Sequence, residues 1–366
     1  MKLPGKAMTV SAKAKTEYAR KFCKAFELSG RPKFILGTNE YALSVAEHID
    51  IDGYLNDFTQ QKEFHGKPII PIDDVPADAL VLTAVVYRPK SARSRVKSYP
   101  FDSLDYYAFA KHTSLSIRDI EYWQGFQEDL ETHAEAYQRL HDRFEDEESR
   151  LCFSRLIAFR QSYDIDHMES FNCREDEQYF EPFLNLKTSG EVFADIGGFD
   201  GKTTLQFIHH CPDYRRIHYF EPSAENMRAS KRILSGIRDV EFHAEALSNH
   251  TGPVSFASDG SSSRVATDGE GLDTITAVRF DELVSEPTTF IKMDIEGFEH
   301  AALAGAEAHI RAYKPRLAVC VYHRPDDFRT VPERVLSYYP DYRVYLRHYM
   351  EGFTETVMFF VPPGLE

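Results

Sequence analysis

Glu191-Val192-Phe193-Ala194-Asp195-Ile196-Gly197-Gly198-Phe199-Asp200-Gly201-Lys202-Thr203-Thr204 reads as a short buried strand, a glycine-rich turn and the start of a helix. Val192, Phe193 and Ala194 form an apolar run too short for a helix, which suits a strand covered on both faces in a parallel sheet. Gly197, Gly198 and Gly201 allow a sharp turn and a close backbone approach to a ligand. The charges of the loop decide what it holds. A dinucleotide fingerprint needs glycine where Ile196 stands, and Asp200 lies where a pyrophosphate would have to sit.

An acidic loop of the form D-x-G-x-x-x-G, Asp195 to Gly201, instead suits S-adenosylmethionine, which carries an amino group and a sulfonium and no phosphate. A second apolar strand, Ile217-His218-Tyr219-Phe220, ends in Glu221 and Pro222, and an acid at that strand tip is where a doubly wound sheet holds ribose hydroxyls. The alternation continues through a helix from Ala224 to Leu234 and a third strand, Val240-Glu241-Phe242-His243. The tip of this strand is where a class I methyltransferase places adenine, which nominates Glu245 and the backbone of Ala246. Pro253 to Ala257 and Thr274 to Arg279 read as hairpin strands around a loop rich in Ser, Asp and Gly. Ser261, Ser262, Ser263 and Arg264 are candidates there for gating an acceptor.

Thr289-Phe290-Ile291-Lys292-Met293-Asp294-Ile295-Glu296-Gly297 is a second strand ending in charge, followed by a helix from Phe298 to Tyr313. Arg316 to Val321 delivers Tyr322-His323-Arg324 to the same edge. Val344-Tyr345-Leu346 and Val357-Met358-Phe359-Phe360 close the sheet as an antiparallel pair, making seven strands. Tyr179, ahead of the organising strand, divides evenly between a pocket residue and core packing.

The chain has 366 residues, 42% hydrophobic content and a formal charge of −15. Its length implies two domains, and its charge argues against a nucleic-acid-binding surface. Five scattered cysteines without a C-x-x-C pair suggest neither a disulfide framework nor a zinc site, and a reducing cytoplasm is expected. Met1 to Lys15 lacks an apolar signal segment and no run is long enough to span a membrane. The expected division is a helical segment over 1–32, a small α/β Rossmann-like domain over 33–110, a helical linker over 111–172 and the catalytic domain over 173–366. In the first of these, Tyr18, Phe22, Ala25 and Phe26 mark one helix face. In the small domain, Asp57 is a candidate ribose acid, although docking or dimerisation is the favoured use of that module. Residues 88–118 are locally basic and read chiefly as a solvated face. Glu128 to Glu148 reads as one acidic surface helix carrying Leu130, Ala134, Tyr137, Leu140 and Phe144.

Tyr179-Phe180-Glu181, Asp195 to Gly201, Phe220-Glu221-Pro222, Ala246-Leu247-Ser248, Phe280-Asp281-Glu282-Leu283 and Lys292-Met293-Asp294-Ile295-Glu296-Gly297 together resemble the FkbM-type S-adenosylmethionine-dependent methyltransferases. The likeness covers roughly residues 175 to 362. It implies an α/β, Rossmann-like class I fold with a seven-stranded mixed sheet, and O-methylation of a sugar, glycan or natural-product hydroxyl.

Methyl transfer from a sulfonium is a direct displacement, so alignment and exclusion of water come first. An alcohol must also lose its proton. His323 is the first candidate for that base and Asp294 the second. The cofactor-binding set is Asp195, Gly197, Gly198, Asp200, Gly201, Glu221, Glu245 and Ala246. Lys292 and Glu296 are expected to pair. Mg²⁺ held by Asp294, Glu296 and His323 is the less favoured account. A small-molecule or glycan substrate is the expected partner, and the sequence leaves a homo-oligomer open. The alternative reading is a non-catalytic scaffold whose amino-terminal domain binds a sugar-nucleotide or a partner. A nicotinamide oxidoreductase is disfavoured by Ile196 and Asp200.

Overall fold

The computed structural model describes residues 7–257, 264–266 and 273–364. The chain forms two compact units. One contains residues up to Glu128 with Ser154–Cys173 and Met350–Thr354, and the other contains Asp129–Phe153, Arg174–Tyr349 and the residues from Glu355 onward. The helical stretch over 111–172 is thus shared between the two units and does not form a body of its own.

In the first unit, α1 (Ala7–Leu28) is followed by β1 (Lys33–Leu36), α2 (Glu40–Ala46), β2 (Gly53–Leu55), β3 (Glu63–Phe64), β4 (Lys67–Ile70), β5 (Leu80–Thr83), α3 (Pro89–Val96), β6 (Asp102–Asp105) and α4 (Tyr106–His112). The sheet order is β3-β4-β2-β1-β5-β6, parallel except for the short β3–β4 hairpin. Phe22 and Phe26 of α1 are buried, and Tyr18 is largely exposed. The loop after β1 is closed by its own polar groups. Asn39 accepts from the Ala42 amide and donates to the Ala84 carbonyl. Asp57 is paired with Arg95 at 3.0 Å, so the candidate ribose acid already has a cation. Arg93 likewise pairs with Asp166 and Glu169, which uses up part of the basic stretch.

Downstream lie α5 (Phe126–Thr132), α6 (Ala134–Arg143) and α7 (Glu147–Ser162). The single acidic helix expected over 128–148 is therefore interrupted at His133 and again before α7. Tyr137, Leu140 and Phe144 are buried, with Phe144 and Tyr137 packed on Phe153. The apolar face outweighed the acidic composition because it had a partner to bury against.

The second unit is built on β7 (Val192–Ile196), α8 (Lys202–His210), β8 (Arg216–Phe220), α9 (Ala224–Ile233), β9 (Val240–His243), β10 (Ala246–Leu247), β11 (Gly252–Ala257), β12 (Arg264–Ala266), β13 (Asp273–Val278), α10 (Phe280–Leu283), β14 (Phe290–Met293), α11 (Glu299–Gly305), α12 (Glu307–Tyr313), β15 (Arg316–Cys320), α13 (Asp327–Tyr338), β16 (Arg343–His348) and β17 (Thr356–Val361). Seven strands take the order β16-β17-β15-β14-β7-β8-β9, and β17 runs antiparallel to both its neighbours. Each residue of β7, β14, β15 and β17 is buried, as apolar runs covered on both faces require. Phe193 stacks on Phe207 of α8 and on Phe290 of β14, with ring centroids 4.3 and 5.1 Å apart. β11 and β13 pair antiparallel as the hairpin reading requires, and β10 and β12 extend them to a four-stranded sheet. Ser261, Ser262 and Ser263 lie outside the described residues.

Candidate active site

The parallel strands β7, β8, β14 and β15 end at one edge, where open α/β sheets bind their ligands. Gly197, with φ of +78°, leaves β7 so close to β14 that a Cβ there would lie 1.8 Å from the Asp294 carbonyl oxygen. A Cβ on Gly198 would lie 2.2 Å from the Tyr219 ring. Only glycine can occupy either place, so the turn is packed against its neighbours on both sides. Phe199 follows with φ of +49° and its ring partly exposed.

Glu221, at the tip of β8, holds this turn. Its carboxylate accepts from the amides of Phe199 (3.0 Å) and Ser223 (2.8 Å). Burial raises its pKa even though both backbone donors favour the charged form. Asp195 is sealed from solvent. It accepts the Thr204 hydroxyl at 2.7 Å and lies 3.3 Å from the Lys292 ammonium. Asp195 therefore fixes the loop from beneath and presents nothing to solvent. Asp200 accepts the Lys202 amide at 3.0 Å and pairs with its ammonium at 2.7 Å, at the start of α8. Glu245 is half-buried and Ala246 buried at the start of β10.

Lys292 pairs with Asp195, not with Glu296, and also donates to the Gly197 carbonyl at 2.5 Å. Burial works against its charge, but Asp195 and then Asp294 outweigh that and raise its pKa. β14 ends at Met293, and Glu296 turns back with φ of +53°. Both carboxylates reach the same imidazole. Asp294 and Glu296 lie 3.5 and 3.6 Å from Nε2 of His323, while Nδ1 of His323 is 2.8 Å from Glu299. Burial alone would favour neutral imidazole. Glu299, with Asp294 and Glu296, overrides it and raises the pKa to about 10. His323 is thus a buried imidazolium near neutral pH and has no free lone pair to serve as a base. Asp294, Glu299 and His323 are near enough to share a metal ion, but both imidazole nitrogens already face carboxylates.

Asp294 also accepts the Tyr179 hydroxyl at 2.7 Å. Burial pushes its carboxyl up, yet Lys292, His323 and Tyr179 together hold it below the usual range. Tyr179 is buried, has φ of +75° and lies 3.4 Å from the Cys320 sulfur. Glu355 completes the cluster. It accepts from Gln178 Nε2 at 2.8 Å and from the Tyr322 hydroxyl at 3.2 Å. Burial, and secondly the charge of Asp294, raise its pKa to about 7. Glu355 is not among the residues nominated from sequence, although its position holds a signal. It immediately precedes β17, and an antiparallel closing strand starts at the edge where the parallel strands end, here opposite Cys320.

A seven-stranded sheet in this order, with a glycine turn after its first strand and an acid after its second, defines a Rossmann-like methyltransferase architecture. Residues 192–350 match the family described as the methyltransferase FkbM domain. Among solved structures, the chain is similar to methyltransferase FkbM from Methylobacillus flagellatus KT. Identity is 22%, the TM-score 0.76, and the match covers 97% of this chain and 99% of that one. The O-methyltransferase from Bacillus cereus in complex with SAH is a looser match, with 13% identity and a TM-score of 0.35 over 63% of this chain and 99% of that one. No curated protein matches the sequence. Among the described residues, no helix is long and apolar enough to cross a membrane.

Proposed function

We propose that this chain is an S-adenosylmethionine-dependent O-methyltransferase acting on a hydroxyl of a sugar, glycan or natural-product-like acceptor. The observation that carries the reading is the Gly197–Gly198 turn after β7, held by the buried Glu221 carboxylate at the tip of β8. A carboxylate at the tip of the second strand suits the ribose hydroxyls of a nucleoside cofactor. Glu221, Gly197, Gly198 and Phe199 would hold the cofactor, with Glu245 and Ala246 beside its base. The bound cofactor would supply an electrophilic methyl group. Glu355 and Asp294 face the acceptor side in this reading. Glu355, poised near neutrality, takes the hydroxyl proton, and the His323 imidazolium keeps Asp294 and Glu296 in place. A base matched to neutral pH favours an alcohol over an acceptor that is already ionised.

The test is incubation with S-adenosylmethionine carrying a labelled methyl group and a panel of glycans and hydroxylated metabolites. The expected outcome is acceptor-dependent formation of S-adenosylhomocysteine and a label retained through mild alkaline hydrolysis, as an ether is. A label on nitrogen, or one released by alkali as from an ester, would overturn the O-methyl reading.

A further inference from the structure

A second cluster lies on the other side of the sheet from the glycine turn. His218 of β8 is paired in register with Glu241 of β9, and Phe220 with His243. Alternate strand residues share a face, so His218, Glu241 and His243 project together. Tyr219 and Phe242 project the opposite way and pack with Met227 and Leu234. Nδ1 of His218 and Nε2 of His243 are 3.3 Å apart. Glu241 offers one oxygen 3.6 Å from His218 Nδ1 and the other 3.9 Å from His243 Nε2. A tetrahedral zinc ion with bonds of roughly 2.0 to 2.1 Å keeps neighbouring ligand atoms about 3.3 Å apart. The three side chains therefore stand close to the spacing of three zinc ligands, with the two imidazoles buried and the carboxylate at the solvent side.

A further carboxylate supports this geometry. Nε2 of His218 lies 3.3 Å from Glu286, so with that nitrogen donating, Nδ1 turns its lone pair toward His243. An imidazole that gives its second N–H to a carboxylate is the usual support of a metal-bound histidine. Arg216 is the competing cation, 3.3 Å from Glu241 and 2.9 Å from Glu286. Its side chain is 43% exposed and has solvent to turn into.

We propose that His218, His243 and Glu241 form a zinc site that ties the edge strand β9 to β8, with Glu286 orienting His218. The site is independent of the methyl-transfer reading. It is tested by titrating the tag-free, chelator-treated full chain with Zn²⁺ by calorimetry and with Co²⁺ by absorption spectroscopy. One equivalent of Zn²⁺ is expected, with the visible bands of tetrahedral Co²⁺ and a thermal midpoint that climbs with free Zn²⁺. Affinity should fall at least tenfold in Glu241→Gln, a solvent-side change that spares the core, and further in His218→Gln with His243→Gln. Absence of stoichiometric binding, or binding undiminished in both variants, would overturn the proposal.

Discussion

His323 is held among Glu299, Asp294 and Glu296, and its charge is part of what keeps that edge together. Its folded pKa of about 10 lies above the ordinary value of 6.5. The stabilisation is therefore fully present below about pH 6.5 and is lost as pH rises through about 10. Thermal midpoints measured from pH 6 to 10 should fall more steeply in the wild type than in His323→Gln, and parallel curves would contradict the charged assignment. Glu355 makes the opposite kind of demand, because a base works only when ionised. Turnover should rise with pH through about 7, and Glu355→Gln should lose that limb along with about 100-fold or more of kcat. An unchanged pH profile in the variant would remove Glu355 from the base role. Asp294 and His323 were legible as strand-tip residues, but their charge states were not. Those depend on Glu299 and Glu355, which reach the cluster from α11 and from the residue just before β17.

At the scale of elements, the turn between β7 and α8 is the most constrained piece of backbone at this site. Gly197→Ala combines a positive φ with a Cβ placed against the Asp294 carbonyl, whereas Gly190→Ala has a positive φ and nothing within 4 Å. Gly190→Ala should cost roughly 1 to 2 kcal/mol from the left-handed backbone alone. Gly197→Ala should cost clearly more in urea denaturation, because β14 must also move. Equal losses would mean that the close approach of the two strands is not present in solution. Among the strands read from sequence, β7, β14, β15 and β17 are short runs hidden on both faces, and burial imposes their largely apolar composition. β4 carries Pro68, and β6 is Asp102-Ser103-Leu104-Asp105, so neither has a pattern that separates it from a loop. Their pairing is set by the strands beside them.

For the whole molecule, the match to the Methylobacillus structure covers 97% of this chain at 22% identity, a likeness of fold. The fold class was readable because strand, turn, helix and acid recur in one order. The division into two units was not, since Met350–Thr354 joins a unit whose preceding segment ends at Cys173 through packing that local pattern does not encode. The glycine turn held by Glu221 is the proposed seat of S-adenosylmethionine. Calorimetric titration of the wild type and of Glu221→Ala with S-adenosylmethionine, S-adenosylhomocysteine and NAD tests it most directly. Binding of the first two but not NAD, lost in Glu221→Ala, is the result expected. Binding of NAD, no binding of either sulfur cofactor, or binding indifferent to Glu221 would contradict it.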